Sequence, residues 1–223
     1  MAFQPGFNSR ILAGPLAFSA YSRGFSLDDS TAMLDATVMD GSNARKSIPG
    51  LRNTTVSMDL LLDGSGAAGS QWITQNTWKG TPQPETLAFT GTAADQPVIL
   101  LQANLSQATP TSPAGDVVSC ALTVQADGGA DYGYSLEDLA AVTGTTSGTA
   151  RNGGAASSNG GVAHLHVTAF SGLTSNAVIL EDSANNSTWA TIGTFTTITA
   201  VGSQRLAIAG AVRRYVRVSW DVT

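Results

Sequence analysis

Arg45 to Asp63 reads "RKSIPGLRNTTVSMDLLLD". From Thr54 onward, Thr54, Val56, Met58, Leu60 and Leu62 alternate with Thr55, Ser57, Asp59, Leu61 and Asp63. A period of two makes a strand with one apolar and one polar face. The same pattern recurs from Val117 to Ala126, where Val118, Cys120, Leu122 and Val124 alternate with Ser119, Ala121, Thr123 and Gln125. Leu34, Ala36 and Val38 repeat it against Asp35, Thr37 and Met39. Strands half apolar and half polar belong to antiparallel sheets. The stretch therefore sets the class as mainly β. It also poses a question, because Arg45, Lys46 and Arg52 crowd together in a chain of formal charge −5.

Composition narrows the answer. Hydrophobic residues make up 42% of the 223, enough for a sizeable core, while charged residues make up 12% against a usual share of about 25%. Polarity comes instead from 26 Thr and 23 Ser. A surface poor in charge loses little when another protein covers it, since charges are costly to desolvate. Residues 1–150 hold six Lys+Arg and thirteen Asp+Glu, a balance of −7, whereas residues 151–223 hold five Arg and three acids, a balance of +2. Cys120 is the only cysteine, so no intrachain disulfide forms. The opening "MAFQPGFNSR" lacks a basic region followed by an apolar run, so no signal peptide is expected. No apolar stretch reaches the roughly 20 residues that would cross a bilayer as a helix, so membrane insertion is not expected.

Further strand patterns fall near 13–25, 85–91 and 97–106. One helix is expected over Gly66–Trp78, with Ser65 or Ser70 as N-cap, Lys79 in the last turn and Gly80 just beyond it. The segment 143–161, "TGTTSGTARNGGAASSNGG", has no large apolar side chain and reads as a linker. After it, 162–170, 177–181, 189–199, 204–209 and 212–222 read as strands of a small sandwich. The expected organisation is an antiparallel sandwich or barrel over 1–142, a Gly/Ser/Thr-rich linker over 143–161, and an all-β sandwich lobe over 162–223.

Catalytic chemistry finds little footing. His164 and His166, the only histidines, project from one side of a strand at i, i+2. Two imidazoles could begin a metal site, but a third ligand would have to come from carboxylates such as Glu181 or Asp182. The bland reading places them as semi-exposed polar strand residues, surface contacts of the last lobe or hydrogen-bonded at a lobe boundary. No Gly-x-Ser-x-Gly elbow is present. Cys120 falls on the apolar parity of its strand, where a thiol acts as a small hydrophobe. "DGSGAAGS" lacks the Gly-Lys-Ser/Thr of a phosphate loop. In "VRRYVRVSW", Arg213, Tyr215 and Arg217 share one parity and are expected as surface contacts of the last lobe or as partners of Glu181 and Asp182 across the sheet. Three arginines are too few for a DNA footprint. The chain is therefore not expected to be an enzyme or to hold a metal or cofactor.

At "ARKSIPGLRNTTVSMDLLLDG" the sequence resembles the major tail tube proteins of long-tailed, siphovirus-type bacteriophages. The pieces are Leu34–Thr37, the basic Arg45–Leu51 loop, the strand Thr54–Asp63 and the helix Gly66–Trp78, in that order. The region from "GGVAHLHVTAFSG" to "VRRYVRVSW" is similar to the C-terminal part of such proteins in phages of actinobacteria. The resemblance implies a structural virion protein, made in the host cytoplasm, that forms stacked rings, usually hexameric. The hollow tube so built lets DNA through without binding it tightly, and its other partners are the tape measure, tail terminator and distal tail proteins.

On this expectation Arg45, Lys46, Ile48, Pro49, Gly50, Leu51 and Arg52 meet a neighbouring subunit or ring. Pro49 and Gly50 would fix a tight turn, Ile48 and Leu51 would be apolar anchors, and acids such as Asp28, Asp29 or Asp131 of the neighbour would pair with the basic residues. Thr55, Ser57, Asp59, Ser119, Thr123 and Gln125 line the bore. Every phosphate a lining cation neutralised would slow transit, so a neutral or acidic lining suits the task. The other classes are a carbohydrate-binding or adhesion module, using Trp72, Trp78, Trp189 and Trp220, and a capsid decoration protein.

Overall fold

The computed structural model describes residues 8–38, 44–62, 78–172, 174 and 176–222. Period-two patterning becomes strand throughout: β1 (Arg10–Ala13), β2 (Leu16–Ala17), β3 (Ser22–Asp35), β4 (Ser47–Leu61), β5 (Gln83–Ala88), β6 (Pro97–Thr111) and β7 (Ser119–Tyr134). They form one sheet in the order β2-β1-β5-β6-β7-β4-β3, antiparallel at each pairing. On β4 burial follows parity, with Thr54, Val56, Met58 and Leu60 inside and Ser57 and Asp59 outside.

A single sheet makes its own sandwich by folding over. Between the pairs Leu101–Ala130 and Ala103–Ala126, β7 spends two more residues than β6. That bulge holds Gly128 and Gly129, at φ +91 and +90, a region costly for any side chain. Bulges bend a strand and raise its twist, so the sheet turns back on itself there. Ile11 and Leu87 of one half thereby join Val56 and Leu122 of the other in one buried cluster. Among the described residues the outer edges of β2 and β3 stay unpaired, so the sheet curls without closing into a barrel.

Trp78 plugs this core. It is 1% exposed, lies 6.2 Å centroid to centroid from Phe18, and donates its indole N–H to the Ala103 carbonyl at 2.9 Å. The helix expected over Gly66–Trp78 lies outside the described residues except for Trp78, which is helical. Gly80 follows at φ +77, as a residue closing a helix should.

The second cluster gathers Val178, Leu180, Phe195, Ile198, Val218 and Trp220. Its strands are β8 (Thr146–Ser147), β9 (Arg151–Asn152), β10 (Gly161–Val167), β11 (Asn176–Ser183), β12 (Ala190–Thr194), β13 (Gly202–Ile208) and β14 (Tyr215–Val222). β10 pairs with β13, and β12-β11-β14 form the facing sheet, with β8 and β9 both pairing with β14. Residues 143–161, read above as a linker, thus run along the edge of this lobe, where Ser157 also bridges to Val212. The ladder there uses backbone groups, which small residues supply as well as large ones, and the hydroxyls of Thr145 and Ser147 add bonds to Asp221 and Ser219.

The two lobes touch. Val162 packs on Ala88, Val98 and Leu100, which face outward from the larger sheet. Around that apolar centre, Arg205 reaches Asp131 at 3.3 Å, and Arg151 reaches Asp95 at 2.7 Å while lying over the Tyr134 ring.

Candidate functional site

Side-chain parity and register together build a broad polar face. The register aligns Asp28, Thr55, Gln125 and Asn104 in one row across β3, β4, β7 and β6. Ser26, Ser57, Thr123 and Gln107 make the next row, and Gly24, Asp59, Ala121 and Thr109 the one after. Residues directly opposite in a sheet share a face. All six expected lining residues, Thr55, Ser57, Asp59, Ser119, Thr123 and Gln125, therefore lie on one face of one sheet. The opposite face carries the core.

Neighbouring amides and hydroxyls tie this face together. Thr55 donates to Gln125 Oε1 at 3.1 Å, and Gln125 donates to Asn53 Oδ1 at 2.6 Å and to the Thr54 carbonyl at 2.9 Å. Arg23 lies 3.9 Å from Asp59, two exposed side chains in loose contact. β3 and β6 widen this face beyond the six expected residues. The alternation Phe25, Leu27 against Ser26, Asp28 was there to find.

The basic loop is not a turn. Arg45–Leu51 was expected to fold tightly at Pro49–Gly50, but residues 47 to 61 are one strand. Leu34 pairs with Ile48 and Met33 with Pro49. Proline is tolerated because β7 pairs with β4 only from Thr55 onward, leaving the other edge of Pro49 open. Gly50 stands where β4 carries an extra residue against β3, and a Cβ there would come within 3.2 Å of the Ala32 carbonyl oxygen and of Leu34 Cγ.

The result is a β3–β4 hairpin arm that outruns the sheet. Met33, Leu34, Ile48 and Leu51 are all exposed, Leu51 by 87%. At its far end Arg45 reaches Asp35 at 3.0 Å, and hydrogen bonds from Thr37, then the Arg45 contact, hold the Asp35 carboxyl below its ordinary range.

The base of the arm is polar and closed. Arg52 grips Asp29, its Nε donating at 2.8 Å, while the Thr54 hydroxyl donates to Asp29 at 2.7 Å and the Tyr132 hydroxyl at 3.0 Å. The Arg52 bonds, followed by that of Thr54, drive the Asp29 carboxyl far below the usual carboxylate range. Hydrogen bonding to Asp29 pushes the Tyr132 phenol up. Arg52 also lies against Gly129, where a Cβ would sit 3.2 Å from Arg52 Cδ. Two of the acids offered above as partners on a neighbouring subunit are thus engaged within the chain, Asp29 by Arg52 and Asp131 by Arg205.

The expected surface contacts of the last lobe are likewise engaged. Arg213 clamps Asp182, whose side chain is 2% exposed, through its backbone N–H at 2.7 Å and its guanidinium. Burial works against the Asp182 charge, but the Arg213 bonds outweigh it and hold the carboxyl below its ordinary value. Arg217 donates to Glu181 at 2.8 Å and lies over the Trp189 ring. Arg214 donates to Asn152, the residue paired with Tyr215. His164 and His166 are half-buried and turn toward Thr86 of the larger sheet.

Among the described residues no group of three His, Cys, Asp or Glu side chains could hold a metal ion. Nor does any helix there have the length and apolarity to cross a membrane. Trp78 and Trp220 are buried, Trp220 donating to the Gly144 carbonyl at 3.0 Å, and Trp72 lies outside the described residues.

No protein-family model matches the chain, nor does any curated protein. Among solved structures, a chain of the virion of a native gene transfer agent particle is similar at a TM-score of 0.48 and 14% identity, over 59% of this chain and 99% of that one. The tail tube of SPP1 is similar at a TM-score of 0.42 and 14% identity, over 57% of this chain and 77% of that one. The SPP1 Dit protein, described as part of a hub adsorption apparatus, is similar at a TM-score of 0.39 and 11% identity, over 96% and 99% of the two chains.

Proposed function

We propose that this chain is a structural subunit of a phage tail tube, assembling with its own copies into stacked rings, hexameric by the resemblance, around a bore that passes DNA. The observation that carries the reading is the β3–β4 arm. Met33, Leu34, Ile48 and Leu51 are exposed on a strand pair reaching past its own core. Apolar side chains gathered on one exposed arm are the kind of surface that another protein covers.

Other features agree. The long edge strand β3 offers unpaired backbone groups that a neighbouring sheet can complete. A ring requires one patch to meet a different patch on the next copy, and the arm and the edge are different patches. The face bearing Thr55, Ser57, Asp59, Ser119, Thr123 and Gln125 would line the bore, giving phosphate few cationic anchors. Ile48, Pro49, Gly50 and Leu51 would enter the subunit or ring contact by packing. Arg45 and Lys46 would sit at its rim, and Arg52 would brace the arm from within.

In this reading 1–142 forms the tube wall, and 143–161 leads along the edge of an outer lobe that continues through 162–223. The tape measure, terminator and distal tail proteins would be its partners in the virion. Electron microscopy of the purified protein at high concentration tests this directly. Rings or tubes of uniform diameter are expected; a monomer at every concentration would overturn it. The carbohydrate reading loses ground for a specific reason. Of its four tryptophans two are core and Trp189 is covered by Arg217.

A further inference from the structure

The contact between the lobes has a chemistry that the tube reading leaves unused. Strand β10 turns His164 and His166 onto β5. Thr86 Oγ1 lies 2.8 Å from His166 Nε2 and 3.4 Å from His164 Nδ1. His166 Nδ1 lies 2.9 Å from the Gly14 carbonyl oxygen. A carbonyl only accepts, so this ring carries its proton on Nδ1, and the neutral Nε2 accepts from the Thr86 hydroxyl. That hydroxyl has one proton to give.

His164 Nε2 is buried with no partner. A proton placed there would bury a positive charge where, beside Thr86, only the Glu85 backbone bonds the ring, and a buried charge without full pairing is costly. A proton placed on His166 Nε2 would reverse its bond with Thr86, whose hydroxyl would then accept there and have only His164 Nδ1, at 3.4 Å, to give its own proton to. With both rings protonated, that hydroxyl proton has no acceptor in the pair.

The charges around the pair offer no relief. Arg205 on β13 stands opposite His164 in register, like-charged with a protonated ring, and Asp131 on β7 is spent on Arg205. Arg10 on β1 pairs with Ala88 and so shares this face, its Nη1 donating to the Ser9 carbonyl. Ser203 opposite His166, and Leu100 and Gln102 on β6, are uncharged. Glu85 points from the other face of β5 into the core. Among the described residues, no carboxylate is bonded to either imidazole.

We infer that His164 and His166 form a pH-sensitive latch, which docks the C-terminal lobe on the larger sheet while both rings are neutral and releases it when they are protonated. Each lobe has its own buried cluster, so each keeps its fold when the latch opens. The sign follows from the rings' depressed basicity. Burial first, then His166 and Arg205, pull His164 down to about 3, and burial lowers His166 as well. Docking is therefore fully present above the free-imidazole value of 6.5 and weakens as pH falls below it, by about tenfold per pH unit for each histidine released.

The latch stands whether or not the chain builds tubes, and it is read on dilute full-length protein. Small-angle scattering from pH 7.5 down to about 4.5 should show the maximum dimension growing below about 6.5, with the β-sheet circular dichroism unchanged. The variant His164→Gln with His166→Asn, which keeps neutral hydrogen-bonding groups, should stay compact across the range. No expansion in the wild type, or expansion of the variant at the same pH, overturns the latch. Imidazole NMR supplies a readout that needs no variant. Ring protonation must track the expansion, and rings that titrate near 6.5 while the particle stays compact overturn it as well.

Discussion

The base and the tip of the β3–β4 arm lie within a few residues of each other yet follow opposite rules. At the base, Asp29 collects bonds from Arg52, Thr54 and Tyr132, and each polar group finds its partner inside the chain. At the tip, Met33, Leu34, Ile48 and Leu51 are apolar and find none of the cover that apolar side chains seek. The base behaves as a finished structure and the tip as half of one. Basic residues beside an exposed strand are thus a poor guide to where a partner binds. The cations are satisfied locally, and in the tube reading proposed above it is the uncovered apolar surface that would mark the contact.

The largest test strikes the tip. Leu51→Asp with Ile48→Asp should abolish rings and tubes in electron microscopy while moving the stability of the isolated chain by no more than about 0.5 kcal/mol, as surface changes do. Intact assembly in that variant would break the contrast between tip and base.

Next comes the interior of the same sheet. Glu85 is wholly buried, both carboxyl oxygens lack a partner, and burial pushes it up to about 8. It is thus protonated in the fold at neutral pH, whereas in the unfolded chain it ionises near 4.5. Its raised value makes its share of stability complete below about 4.5 and lost as pH rises toward about 8, at roughly 1.4 kcal/mol per pH unit. Glu85→Gln should flatten that part of the stability curve in chemical denaturation, and Glu85→Leu should raise stability at pH 7.5.

The base should respond less strongly. Asp29→Asn removes the acceptor of a charged pair and should cost about 1–2 kcal/mol, read as a lower Tm. Because the fold depresses Asp29, its contribution is present above the ordinary value of 3.8 and fades as pH falls below it, so wild type and variant should converge in acid. Should assembly of Asp29→Asn fail as completely as that of the tip variant, base and tip would be one unit rather than two.

The smallest change tests the polar face. Ser57→Lys should leave stability within about 0.5 kcal/mol of wild type. In assembled tubes it should create DNA binding whose affinity falls with salt, with a log–log slope of about −0.9 for each phosphate contacted. DNA binding equal to wild type would remove Ser57 from the lining.

Much of this was legible in the chain, and particular residues say why. Val56, Met58, Leu60, Cys120, Leu122 and Val124 lie on the core face that their parity required. Trp220 does the same, and Arg217 meets Glu181 across the sheet as their spacing allowed. The reading of Pro49 and Gly50 as a turn failed because turn chemistry and an open strand edge both accept Pro-Gly, and only pairing partners tell them apart. Residues 143–161 misled in a similar way. Side chains too small to build a core say nothing about whether their backbone pairs with β14.

The sequence by itself determined which residues become strand and which side of each strand is dry, because those follow from alternation along a local run. It also determined that charge would be scarce and that the N-terminal part would be acidic. Only the tertiary structure decided that the sheet folds over at Gly128 and Gly129, that Asp29 belongs to Arg52, and that His164 and His166 meet Thr86 across a lobe boundary. Those facts join residues 23 to 80 positions apart, and pairings over such distances are set by register, bulges and packing, which no local pattern records.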